Sequence, residues 1–166
     1  MKKMAKESIE YFAMSGEIIG AVAVVISVIY LAMQVGDSNT EMRSQTHYNA
    51  LMLAQRPMEM LIQNPELGSL LTKGSGDANS LSSTEWDRLS HYIFLLFNAW
   101  EYTFLLNESG HVSPELWQGH NGYMESYISI HPISERFWTE FQTSFSDVFR
   151  SYVDGRLAVL NSQVTR

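Results

Sequence analysis

The sequence predicts an all-α chain: a single N-terminal transmembrane helix followed by an antiparallel helical bundle of about four main helices. Three observations point there. Nineteen consecutive residues, Ile18 to Gly36, carry no charge. Downstream, apolar residues recur at spacings of three and four, the helical period. No segment alternates apolar and polar side chains with the period of two that a half-buried strand requires. The expected organisation is a tail or interfacial helix over 1–16 and the transmembrane helix over 17–36. A bundle domain follows over 37–160, then a flexible tail over 161–166.

The uncharged run corresponds to about 28 Å of helix at 1.5 Å per residue, close to the roughly 30 Å hydrocarbon core of a bilayer. Its many β-branched residues weaken a helix in water, but in lipid the backbone must bond to itself, which leaves helix as the available form. Only Ser27, Tyr30 and Gln34 are polar within it, too few for the polar stripe of a soluble core helix. The segment before it is long for a signal peptide and holds Glu7, Glu10 and Glu17, so an uncleaved span is expected. Lys2, Lys3 and Lys6 precede the span and only Arg43 follows closely. Basic residues favour the cytoplasmic side. The expected location is the cell inner membrane, single-pass, with the N-terminus cytoplasmic and the helical domain periplasmic. Gly16, Gly20, Ala23 and Ser27 form a stripe of small residues that would let a partner helix approach closely.

After Gly36-Asp37-Ser38-Asn39 the pattern becomes amphipathic. Leu51, Ala54, Met58 and Leu61 predict a helix from about Thr40 to Gln63, kinked or broken at Pro57. Glu66 to Leu71 make a short helix, and Lys73 to Ser80 read as a loop. Ser82 and Glu85 fit a capping box. The helix they open carries Trp86, Leu89, Ile93, Leu96, Trp100 and Phe104 on one stripe. Tyr92, Leu95, Ala99, Tyr102 and Leu106 lie on an adjoining one, and Gly110 is the expected C-terminal cap. Ser113-Pro114 starts the next helix, which Gly119 and Gly122 weaken enough to predict a break near His120-Asn121. A last helix is expected from Ser134 through Phe137, Phe141, Phe145, Val148 and Tyr152, ending at Asp154-Gly155.

The chain has 166 residues, 18 acidic and 11 basic, with 12% aromatics and no cysteine. That aromatic content excludes a wholly disordered chain. Disulfides and thiolate metal sites are excluded, and the net charge of −7 argues against nucleic acid as a partner, since phosphate binding needs a basic footprint. The five histidines show no pair at i+3 or i+4. The one Glu-x-x-His match, Glu108 to His111, falls at a helix end. No phosphate loop, hydrolase elbow, HExxH or EF-hand pattern occurs. No catalytic residue, metal or cofactor is therefore assigned. Two groups remain as candidate ligand or partner contacts. His91, Asn98 and Glu101 lie at i, i+7 and i+10 along one edge of the central helix. Trp117, His120, Tyr123 and Tyr127 cluster on the next helix. In both groups a structural network or core packing is the more frequent meaning of the pattern.

The stretches Gly16 to Val25, Tyr30 to Val35, Asn39-Thr40, Asn64 to Leu67, Asn98 to Tyr102 and Glu115 to Trp117 resemble those of small bacterial membrane proteins of unassigned function. The resemblance implies one N-terminal span and a helical domain, and assigns no chemistry. Together these readings lead to an expectation of a non-enzymatic accessory or structural subunit. It would dock, through bilayer and domain, on a larger integral membrane protein complex of respiratory, photosynthetic or transport type, or on further copies of itself. The alternative is a membrane-anchored helical ligand-binding or sensor domain.

Overall fold

The computed structural model describes the backbone of residues 2–164 and the side chains of residues 16–160 and 162. Among the described residues there are six α-helices and no strand. They are α1 (Lys2–Gln63), α2 (Pro65–Gly76), α3 (Ser83–Glu108), α4 (Pro114–Ile130), α5 (Ile133–Phe141) and α6 (Asp147–Val164). Single 3₁₀ turns, Ala78–Ser80 and Gln142–Ser144, precede α3 and follow α5. The chain divides into two compact units, Met1–Ser44 and Gln45–Arg166. The interfacial helix expected before the span, and most of the tail expected from residue 161, have side chains outside the described residues.

The first unit is the greater part of α1. Helix continues through Gly36 to Thr40, where a fresh start is expected, and through Pro57, where a kink or break is expected. The Pro57 ring is buried, which sets packing against the amide bond that proline cannot make.

The second unit is built around α3. Eleven of its 26 residues are buried, including every member of the stripe Trp86, Leu89, Ile93, Leu96, Trp100 and Phe104. Phe97, fully buried, sits in an aromatic group with Trp100, Phe137, Trp138 and Phe145, at ring separations of 5.1 to 6.1 Å. Three tryptophans direct their indole N–H to an oxygen on another helix: Trp86 to Glu140 at 2.8 Å, Trp100 to Asn121 at 2.9 Å and Trp138 to Asp154 at 2.7 Å. Buried indoles need such partners, so these bonds fix helix register as well as satisfying the donors. The Arg136 guanidinium covers the Trp86 ring at 4.0 Å and bonds Glu140 at 2.9 Å. Gly74 of α2 is buried where a Cβ would stand 2.9 Å from Leu81 Cδ1 and 3.2 Å from Ile133 Cγ1, so α2 approaches its neighbours closely only with glycine there.

Helix ends follow the local chemistry. The Ser82 backbone N–H donates to Glu85 at 2.8 Å, and the Glu85 backbone N–H donates to the Ser82 hydroxyl at 3.4 Å. Lys73 also bonds the Glu85 carboxylate at 2.8 Å. With the Ser82 amide, it holds that carboxyl down at about 2. What this site contributes is whole above about pH 4.5 and fades as pH falls towards 2. At the other end of α3, Gly110 adopts φ +69°, and the amides of Gly110 and His111 reach back to the carbonyls of Asn107 and Leu106. Both bonds belong to the Schellman motif, whose left-handed residue favours glycine.

Besides α1, three stretches differ from expectation, the first being Lys73–Gly76, which is helical within α2 where a loop is expected. Helix α4 runs unbroken past His120-Asn121, because Asn121 is held by bonds to other helices described below. The expected last helix is two: α5 ends at Phe141, and α6 begins at Asp147 and continues through Gly155 to Val164. The break is stabilised across the fold, where the Glu101 carboxylate accepts the Ser146 backbone N–H at 2.7 Å and caps α6 from α3. Phe145, Phe149 and Val153 then face inward at helical spacing. Replacing Ser82 with alanine should cost about 1 kcal/mol of stability, read as a shift in urea midpoint without change of slope.

Candidate functional site

In the first unit, every large apolar side chain from Ile18 to Val35 is more than half exposed. Gly16, Gly20, Ala23 and Ser27 are exposed along the same helix. Nothing stands within 4 Å of a Cβ placed on Gly16 or Gly20. The one hydroxyl of the stripe is satisfied locally, since Ser27 donates to the Ala23 carbonyl at 2.8 Å. This stretch of helix is long and apolar enough to cross a bilayer.

In the second unit the structure separates the residues grouped along α3. His91 is exposed, with Nδ1 2.6 Å from the Asp87 carbonyl of its own turn. Asn98 is half-buried. Glu101 is half-buried and engaged as the α6 cap. His91 and Glu101 thus have different partners and do not form a proton-sharing pair.

The α4 residues come together more closely. Trp117 packs on Phe104 at 5.9 Å and on Tyr152 at 5.8 Å. Tyr123 and Tyr127 are neighbours at 6.3 Å, and Tyr127 meets the His131 ring at 4.6 Å. His131 Nδ1 lies 3.1 Å from the Ser75 hydroxyl. Tyr92 of α3 lies near enough to Tyr127 to disfavour ionisation of Tyr127. Neither hydroxyl has a hydrogen-bond partner among the described residues, so proximity does not amount to a bond between them. Burial raises both phenols, Tyr92 to about 12. Burial likewise pushes His120 down to about 4, and its Nε2 is buried without a partner.

The best-connected residue of this region is one that reading the sequence for chemistry passes over. Asn121 Oδ1 accepts from Trp100 Nε1 at 2.9 Å and from the Tyr152 hydroxyl at 2.7 Å. Its amide donates to Glu125 at 2.7 Å, and Glu125 accepts from Arg156 at 2.6 Å. These contacts tie α3, α4 and α6 through one side chain. A signal was present in the sequence: asparagine is a poor residue for a helix interior unless its amide is engaged. Its partners lie 21 and 31 residues away and no local pattern names them.

Two shallow surface cavities share Arg88. One of about 390 Å³ is lined with Glu66, Ser69, Leu70, Thr84 and Glu85. The other, about 250 Å³, is lined with Met60, Asn64, Leu67, His91, Tyr92 and Leu95. The Arg88 guanidinium is already paired with Glu66 at 2.9 Å. Among the described residues no three acidic or histidine side chains gather closely enough to hold a metal ion. In comparisons with known proteins, no family model, no curated protein and no solved structure matches this chain.

Asn121→Leu should destabilise the protein by about 2–3 kcal/mol, because it strands the Trp100 N–H and the Tyr152 hydroxyl. A denaturation curve measures this. His120 is neutral in the fold well below the pH at which an unfolded histidine takes up its proton. The unfolded chain therefore binds more protons between about pH 6.5 and 4, and stability should fall as pH drops through that window. The slope contributed by His120 cannot exceed about 1.4 kcal/mol per pH unit, and His120→Phe should remove it.

Proposed function

We propose that this protein is a non-enzymatic accessory or structural subunit. In this reading α1 crosses the inner membrane once, the N-terminus is cytoplasmic, and the remaining helices form an antiparallel bundle in the periplasm. The subunit docks on a larger integral membrane assembly of respiratory, photosynthetic or transport type, or on further copies of itself. The observation that carries the reading is the exposed apolar surface of α1. Eleven large apolar side chains between Ile18 and Val35, and the Tyr30 ring, are uncovered. At roughly 1.5–3 kcal/mol for each fully buried apolar side chain, lipid would supply on the order of 20 kcal/mol that water withholds. That is at least as large as the whole folding stability of a typical domain, about 5–15 kcal/mol. The stripe from Gly16 to Ser27 supports close approach by a partner helix.

A second reading, a membrane-anchored ligand-binding or sensor domain, draws on the cavity beside His91 and Tyr92. It would place a small ligand against Met60, Leu67 and Leu95, with Asn64 and His91 at the rim. Ligand pockets usually enclose about 300–1,000 Å³, so this shallow cavity supports the reading less strongly.

The protein should stay with the membrane fraction through an alkaline carbonate wash and require detergent for release. Native mass measurement of the gently extracted protein should show it within a larger assembly, and Gly20→Ile should weaken that association at least tenfold. A lone monomer at native abundance would overturn the subunit reading. Protease protection in sealed vesicles tests the orientation independently.

A further inference from the structure

We propose that α4 opens from the second unit as a cooperative segment of its own, more readily than the helix it packs on. This inference concerns the second unit alone and stands whether or not α1 lies in a bilayer. Four observations on α4 lead to it. Gly119 and Gly122 lie inside the helix, exposed, and nothing stands within 4 Å of a Cβ at either position. Glycine lowers helix stability relative to alanine, and no close approach within the protein requires it here. Second, only Met124, Tyr127 and Ile128 are buried among the 17 residues of α4, against eleven of 26 in α3. Third, the inward side carries two polar atoms, His120 Nε2 and the Tyr127 hydroxyl, that are buried without partners. A third such atom, the Tyr92 hydroxyl, lies on α3 beside Tyr127. Water would satisfy all three on opening, which lowers the free energy of the open state relative to the closed one. Fourth, the outer residues from Gln118 to Ile130 are uncharged, so α4 gains little from ion pairs on its exposed side.

The counterweight is Asn121 with Glu125, which bind α4 to Trp100, Tyr152 and Arg156. Opening breaks these bonds together, which makes the event a cooperative release in place of fraying from the ends. What it bares is the aromatic surface of Phe104 and Tyr152 on which Trp117 rests. Helix α4 is thereby a hinged cover over an apolar surface that the closed fold keeps from water.

Native-state hydrogen exchange on the full chain in lipid nanodiscs, followed against urea, tests this. Amides of α4 from Trp117 to Ile130 should exchange at least tenfold faster than those of α3 between residues 92 and 104. Their urea dependence should be shallower, and the two sets should merge as urea rises. Gly119→Ala and Gly122→Ala should each slow α4 exchange about fivefold. Equal rates and equal urea dependence for α3 and α4 would overturn the proposal. So would alanine variants that leave α4 exchange unchanged, since the glycines would then not be what eases the opening.

Discussion

An apolar helix that nothing in its own unit covers gains most from an apolar medium, and the function proposed for this protein starts from that constraint. The side chains between Ile18 and Val35 are not a stripe facing a core; they are exposed around the helix. A soluble helix resolves such composition by burial, and a membrane helix resolves it with lipid. Since α1 has no burial over this stretch, the proposed anchoring role rests on the medium and not on any contact made inside the chain.

The second unit solves a different problem. Its core is crowded with aromatic rings, and aromatic surface alone is tolerant of sliding. Register is imposed by the polar handles those rings carry. Trp86, Trp100 and Trp138 each reach one oxygen on another helix, and losing the match would leave a buried donor unpaired. The same logic explains Glu101, whose position along α3 suggested proton chemistry and whose carboxylate instead caps the start of α6. A half-buried acid on a helix edge has several possible uses, and only its partner tells them apart.

Among the described residues, buried polar atoms without partners occur on α3 and α4 and also at Ser134, Ser146 and Arg156. Tyr92, Tyr127 and His120 contrast with the fully engaged Asn121 one residue away from His120. A helix held tightly at one point and poorly satisfied beside it stores its instability locally. Its exposed glycines point the same way. On this proposal stability in the unit is graded, higher along α3 than along α4.

What could be read from the sequence was what short range decides. The uncharged run, the Ser82–Glu85 capping box, the Gly110 terminus and the inward stripe of α3 all depend on residues within a few positions of one another, and each is visible as a pattern. Tertiary structure decided what depends on distant partners. The continuity of α1 through Pro57 and the unbroken α4 run against local propensity, and the division of the last helix at Gln142–Ser146 is held by Glu101 of α3. The separation of His91 from Glu101 and the role of Asn121 were equally hidden, because the atoms that settle them lie 21 to 45 residues along the chain. A side chain's type states what it can bond, and only the fold states which partner it meets.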